Sequence, residues 1–422
     1  MSETRPERRE EIDAILDRKP GTSETRDEAD RYTVVGAASR ATFADWLTPI
    51  EEHFVCHRNP IPDGDADAWT IDLARSGDGD AVELPLGEII GDLPTVAVAH
   101  TMECAGNGRG QHDPETGSVQ WGCEAVGTAV WTGTPVRSVL RAAGFDTGAA
   151  AHTTDDEDRW LTAIGDDSTD EETFARSIPL SKALADCVLA HGMNGEALPA
   201  EHGYPVRLVV PGWYGVNSVK WLAELRVTDG MVTEGALDRP GTHARWQQDD
   251  YRIHPEGTSP EHRETVEPSG TWDQLESPAV EHPYTFDETV MSLIGHPTGE
   301  ETVTPHEGTV AVRGVAWAGD DGVAGVEIST DGGETWHSAE LFGPKYAGAW
   351  RLFEHTWEPE PGTHTLVSRA TDEHGRSQPA TIGTPEEGLD ATHSGRFPWN
   401  EGGYAANAFE PNGIEVKVAD AA

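Results

Sequence analysis

The 422-residue chain carries 75 acidic against 30 basic side chains, a formal charge of −45. Such a surface repels nucleic acid and anionic membranes and excludes both as general partners, and no apolar run is long enough to span a bilayer. Acidity with so little lysine suits a cytoplasm of molar salt, where the Debye length falls to about 3 Å, so an extremely halophilic source is expected.

Disorder, the usual reading of high charge, is countered by aliphatic runs, 14 tryptophans and many turn glycines. The length predicts two or three domains. Cys56, Cys104, Cys123 and Cys187 are too few for a disulfide framework and lack zinc-type spacing. Acidic residues, not an apolar segment, follow Arg8 and Arg9, so no twin-arginine export signal is read. A cytoplasmic location is the expectation.

Residues 1–30 read as a charged N-terminal arm. Residues 31–255 alternate strand-like with helical runs and predict an α+β domain. Val96 and Val98 start a strand that ends at Cys104, and a glycine turn follows with Arg109 in it. A thiol at a strand end beside a cation can present a soft metal ligand, with the arginine favouring the thiolate. A small, inert buried cysteine is the alternative. Helices are predicted over 135–143 and 180–190, and strands over 161–164 and 206–210. The strand at 206–210 leads through Pro211 and Gly212 into a glycine loop ending at Ser218, Val219 and Lys220. Backbone N–H groups there, with Ser218 and Lys220, could hold a phosphate; a solvated strand–loop–strand is the alternative. Residues 256–283, rich in Pro, His and Glu, read as a connector. From 284 to 422 the pattern is short alternating strands, over 309–317, 323–329, 335–341, 350–357 and 364–370. Asp331, Gly332 and Gly333 signal a hairpin. An immunoglobulin-like β-sandwich is predicted, with Trp317, Trp336, Trp350 and Trp357 as core or inter-sheet residues.

Taken together, the segments at 104–109 and 202–221 resemble the sulfite oxidase family of molybdenum-cofactor enzymes. The family's Cys-Ala-Gly-Asn-x-Arg motif is matched by Cys104 to Arg109. Its His-Gly-x-Pro-Val-Arg, Pro-Gly-x-x-Gly and Val-Lys-Trp elements are matched in order from His202 to Trp221. The resemblance implies a molybdopterin domain followed by a dimerisation domain, and hence a homodimer. It implies Cys104 as the molybdenum ligand, and His57, Arg58, Asp166, His202, Arg207, Ser218, Val219 and Lys220 as cofactor contacts. Arg109 matches the arginine that lines the anion pocket. The implied reaction is oxygen-atom transfer, oxidising sulfite or a similar sulfur oxyanion, with electrons passed to a separate acceptor. No Cys-x-x-Cys-His haem site is present in the sequence.

The match departs from the family near the pocket. Cys56 stands where a substrate arginine is expected and Arg58 where a cofactor histidine is expected, so His57 and Arg58 are candidates to rebuild the lost charge. Phe174 replaces a pocket tyrosine and removes a hydroxyl. The arginine expected from the second domain has no clear counterpart, and Lys345 or Arg351 are its candidate stand-ins. These changes keep open a second reading, reduction of nitrate or of an S- or N-oxide with the same cofactor. Cys123 and Cys187 read as structural.

Overall fold

The computed structural model describes residues 13–15, 17, 34–57, 59–75, 81–147, 160–167, 173–232, 237, 246–258, 270–299 and 301–419. Arg58 and most of the expected arm lie outside them. Of the arm, Ile15 packs against Val34 and Val55.

Two five-stranded sheets and a two-stranded one, Val34–Gly36 with Val55–His57, build the described part of the first domain. One is ordered Glu196–Ala197, Val188–Met193, Val126–Pro135, Val96–Glu103, with Arg207–Val209 also paired to Val188–Met193. The other is ordered Val82–Pro85, Thr70–Arg75, Leu222–Thr228, Trp160–Gly165, Ala175–Pro179. Leu222–Thr228 pairs in parallel with Thr70–Arg75 and antiparallel with Trp160–Gly165. One antiparallel and one mixed sheet with short helices make this an α+β arrangement, as the sequence predicts.

Three strands end at a proline that directly precedes a helix: Pro85 before Leu86–Asp92, Pro135 before Val136–Ala142 and Pro179 before Leu180–Ala185. Proline has no N–H to offer a ladder, and its fixed φ suits both the strand end and the helix start. The predicted helix over 135–143 is present. The one over 180–190 stops at Ala185, and Val188–Met193 is a strand. Val188, Leu189 and Ala190 are buried between two neighbouring strands. A strand covered on both faces is apolar throughout, and that run continues the apolar pattern of the preceding helix.

The second domain has a four-stranded sheet, ordered Met291–His296, Val310–Trp317, Arg351–Trp357, Glu340–Phe342. A five-stranded sheet is ordered Thr302–Val303, Ile414–Val418, Gly362–Asp372, Val323–Ser329, His337–Ser338. Val312 and Phe353 from one sheet share a core with Val326, Leu366 and Val416 from the other. The hairpin at Asp331 forms, and the Asp331 carboxylate accepts the Thr335 N–H at 2.9 Å. The strand predicted over 335–341 is split, its halves pairing in different sheets.

The tryptophans divide by role. Trp357 is in the sandwich core, whereas Trp336 is half-buried beneath Arg369 at 4.0 Å. Trp317 and Trp350 join the two domains, packed with Phe43, Val126 and Leu293. The Trp317 indole donates to Glu103 Oε2 at 2.9 Å, and that of Trp350 to the Trp46 carbonyl at 2.7 Å. A segment beyond Phe397 returns to the first domain, where the Ala405 N–H donates to the Ala105 carbonyl at 2.8 Å. Among the described residues no helix is long and apolar enough to cross a membrane.

Candidate active site

Cys104 follows directly on the buried end of Val96–Glu103. Its N–H donates to the Ala125 carbonyl at 2.9 Å, and its carbonyl accepts the Asn107 N–H at 2.8 Å. The Asn107 side chain locks this turn, donating to Glu103 at 3.0 Å and accepting from the Ala125 N–H at 3.0 Å. The thiol is thereby held, half-buried, on the wall of a cavity of about 940 Å³, part of it open to solvent. Cys56 lines the same cavity, and the two thiols hydrogen bond. That hydrogen bond, with burial behind it, pushes the Cys104 thiol well above the usual range, and Arg109 pulls the other way without prevailing. The arginine thus favours the thiolate, as its charge predicts, but is outweighed by the thiol pair and by burial.

The opposite chemistry lines the rest of the wall. Arg207 donates to the carbonyls of His202 at 3.0 Å and Ser218 at 2.9 Å, and its guanidinium lies 4.9 Å from the Trp131 ring centre. These contacts are neutral, and its Nε is buried without a hydrogen-bond partner. Burial pulls its pKa down to about 9. Lys220 donates to the carbonyls of Glu201 at 2.7 Å and Cys56 at 3.3 Å and reaches His57 Nδ1 at 3.4 Å. Burial, then the charge of Arg207, lowers it to about 7. His57 is itself lowered well below 6.5 by burial and by Lys220, which leaves it neutral and able to accept. Ser218 Oγ accepts the Val210 N–H at 3.1 Å, so its own proton can be given to another acceptor. Two desolvated cations and a hydroxyl donor on one wall call for an anion. A phosphate-bearing cofactor fits that wall, and the thiol opposite can take its metal. Among the described residues no cluster of three metal-ligating side chains occurs.

Of the residues expected from sequence, Cys104, Phe174, His57, His202, Arg207, Ser218 and Lys220 line this cavity. The other expected residues stand outside it. Arg109 is not on the wall: its Nε donates to the Gly402 carbonyl at 2.7 Å and its Nη1 to the Val119 carbonyl at 2.9 Å. It is a strut, packed so closely that a Cβ at Gly106 or Gly403 would stand 2.5 Å from its atoms. Asp166 is exposed, and its neighbour Asp167 lines the cavity, hydrogen-bonded by Asn59 at 3.3 Å and raised to about 6 by burial. Val219 is buried in the main apolar core, where its backbone carbonyl accepts the Leu208 N–H at 2.8 Å. Arg58 lies outside the described residues. Lys345 is exposed and paired with Glu373 at 3.1 Å, and neither it nor Arg351 lines the cavity. The segment around Tyr404 packs behind the cavity, the Tyr404 ring stacked on that of Tyr251 at 4.9 Å. The cavity residues missed by sequence reasoning include His53, Met102 and Tyr251. Tyr251 sits in the stretch beside the connector and carried no local signal.

Residues 58–234 match the model of the oxidoreductase molybdopterin binding domain, and residues 283–385 that of the Mo-co oxidoreductase dimerisation domain. The chain is 33% identical to a sulfite oxidase of Gallus gallus, the alignment covering 80% of this chain and 69% of that one. It is 31% identical to the mitochondrial sulfite oxidase of Homo sapiens over 80% of this chain, and spans only 58% of that protein's length. A nitrate reductase of Phaseolus vulgaris is 29% identical over 80% of this chain and 37% of its own. The crystal structure of the sulfane dehydrogenase SoxCD from Paracoccus pantotrophus shares the fold, with a TM-score of 0.69 and 23% identity over 95% of this chain and 90% of that one. With its thiol and its anion-seeking wall on one cavity, the chain belongs to the sulfite oxidase family of molybdopterin-binding oxidoreductases.

Proposed function

We propose that this enzyme oxidises sulfite, or a similar small sulfur oxyanion, by oxygen-atom transfer and passes the electrons to a separate acceptor. The observation that carries the reading is the shared cavity, with the Cys104 thiol on one part of the wall and Arg207, Ser218 and Lys220 on another. A bound molybdenum cofactor supplies two-electron redox chemistry with exchange of an oxygen atom. Cys104 is its thiolate ligand, and Arg207, Ser218 and Lys220 hold its phosphate-bearing portion. His57 and His202 complete that wall, and Asp167 takes the part first given to Asp166. The surrounding apolar side chains, Phe54, Met102 and Phe174 among them, exclude water and so strengthen each of these interactions. In the same proposal the protein works in the cytoplasm of an extreme halophile, and its second domain, an immunoglobulin-like sandwich, pairs two copies.

Similarity to a nitrate reductase and the apolar Phe174 in the cavity favour, as second reading, reduction of nitrate or an S- or N-oxide. The test is sulfite-dependent reduction of ferricyanide by molybdenum-replete protein in molar KCl, with Cys104→Ser alongside. We expect turnover in the wild type and its loss, together with molybdenum, in a folded variant. Undiminished turnover in Cys104→Ser would remove the ligand assignment. A molybdenum-replete wild type inert to sulfite but active on nitrate would establish the second reading.

A further inference from the structure

Two thiols stand on the cavity wall, and the metal reading uses one of them. Cys104 follows strand Val96–Glu103, while Cys56 is the middle residue of Val55–His57, held by pairing with Val35 on Val34–Gly36. The two strands belong to different sheets. Both cysteines nevertheless pack against one apolar cluster, which includes Phe54, Met102 and Trp131, and line one cavity. Their side chains hydrogen bond to each other. Both are free and half-buried, whereas Cys123 and Cys187 are buried in other clusters. Small solutes reach the pair through the open part of the cavity.

The backbones that carry the pair are anchored. The Cys104 N–H donates to the Ala125 carbonyl at 2.9 Å, and the Cys56 carbonyl accepts from Lys220 at 3.3 Å. Sulfurs already in hydrogen-bond contact have only to rotate to bonding distance, and no strand has to move. Two groups held side by side react with each other ahead of partners from solution.

We propose that Cys56 and Cys104 form a reversible oxidation site: before a metal is bound, hydrogen peroxide joins them in a disulfide and so removes the sulfur that ligates the metal. One thiolate attacks the peroxide O–O bond, which breaks, and a sulfenic acid forms. The hydroxide released takes up the proton that thiol gave and leaves as water. The second sulfur then attacks the sulfenic sulfur. The S–S bond forms, the S–O bond breaks, and the departing oxygen leaves as water with the second thiol's proton. Each sulfur gives up one electron, and the peroxide takes both. A small dithiol reverses the step by exchange, becoming a disulfide itself as the pair is reduced. A metal on Cys104 holds that sulfur and protects the pair, so loading and oxidation exclude each other. The blocking of the metal rests on the Cys104 ligand reading above; the disulfide does not.

The test uses the full chain in molar KCl, prepared with and without molybdenum cofactor. Both samples are treated with hydrogen peroxide, unfolded and alkylated, and their non-reduced peptides are mapped by mass. We expect a Cys56–Cys104 cross-link, lighter by a pair of hydrogens than its separate peptides, in the cofactor-free chain. Cys123 and Cys187 should be alkylated there, and the loaded chain should carry no cross-link. Incubation with isolated cofactor should leave the cross-linked chain without molybdenum, and dithiothreitol should restore uptake to that of the untreated chain. Cys56→Ala should form no bridge to Cys123 or Cys187; should it fail to fold, the wild-type map decides. Peroxide that turns Cys104 into a dimedone-reactive sulfenic acid without any Cys56–Cys104 bridge overturns the proposal. A bridged chain that takes up molybdenum as readily as the reduced one overturns the ligand reading, and the blocking role with it, while leaving the bridge established.

Discussion

At the scale of single residues, the joint between the domains holds an acidic pair in an unfavourable state. The Glu103 N–H donates to Glu288 Oε1 at 2.9 Å, while Glu288 Oε2 is buried with no hydrogen-bond partner. Burial, then the neighbouring carboxylate of Glu103, raises Glu288 well above the ordinary value, and burial raises Glu103 to about 7. The folded state thus holds protons that the unfolded chain releases near pH 4 to 5. Stability is greatest below that range and falls as pH climbs toward and past 7, by up to roughly 1.4 kcal/mol per pH unit for each such group. Glu288→Gln removes one titrating group and can donate its amide to Glu103. It should melt higher than wild type at pH 8, on the order of 1–3 kcal/mol more stable, and differ little at pH 5. Thermal melts at both values check this, and a variant less stable at pH 8 contradicts it.

At the scale of elements, the Arg109 strut ties its own turn to Val119 and to the segment carrying Gly402 and Tyr404. Arg109→Ala deletes two buried hydrogen bonds and a ring contact, a cost of about 2–4 kcal/mol, and frees the returning segment. Melting should fall, and limited proteolysis should cut near residue 402 before it cuts elsewhere. An unchanged melt and cleavage pattern would refute the strut. Elements with a clean local period were legible in the sequence: the alternating strands of the second domain, the Asp331 turn, and the strand that delivers Cys104. The helix over 180–190 was overextended because a doubly buried strand carries no period of its own. Asp166 and Asp167 lie just past a strand end, where alternation no longer says which side chain turns inward. Arg109 was given a pocket role by its motif, whereas its hydrogen bonds run to the carbonyls of Gly402 and Val119, which no local pattern announces. Tyr251 and Arg176 were invisible because they meet only through the fold: nothing near Tyr251 in sequence announces a partner on Ala175–Pro179.

At the scale of the whole molecule, a charge of −45 has to be screened before two copies can share a face. Raising KCl from ~0.1 M to ~1 M shortens the Debye length from about 10 Å to about 3 Å. Light scattering should give the mass of a pair in molar KCl and of single or unfolding chains at ~0.1 M; a single-chain mass in molar KCl contradicts pairing through the second domain. The returning segment has one more consequence, which concerns time. Ala405 is bonded to the residue after Cys104, and Tyr404 backs the ring of Tyr251. Both are translated after every residue that lines the cavity, so on a growing chain the Tyr251 ring lacks its backing. A chain interrupted before residue 404 leaves synthesis without the stacking partner of Tyr251 and without the hydrogen bond to Ala105.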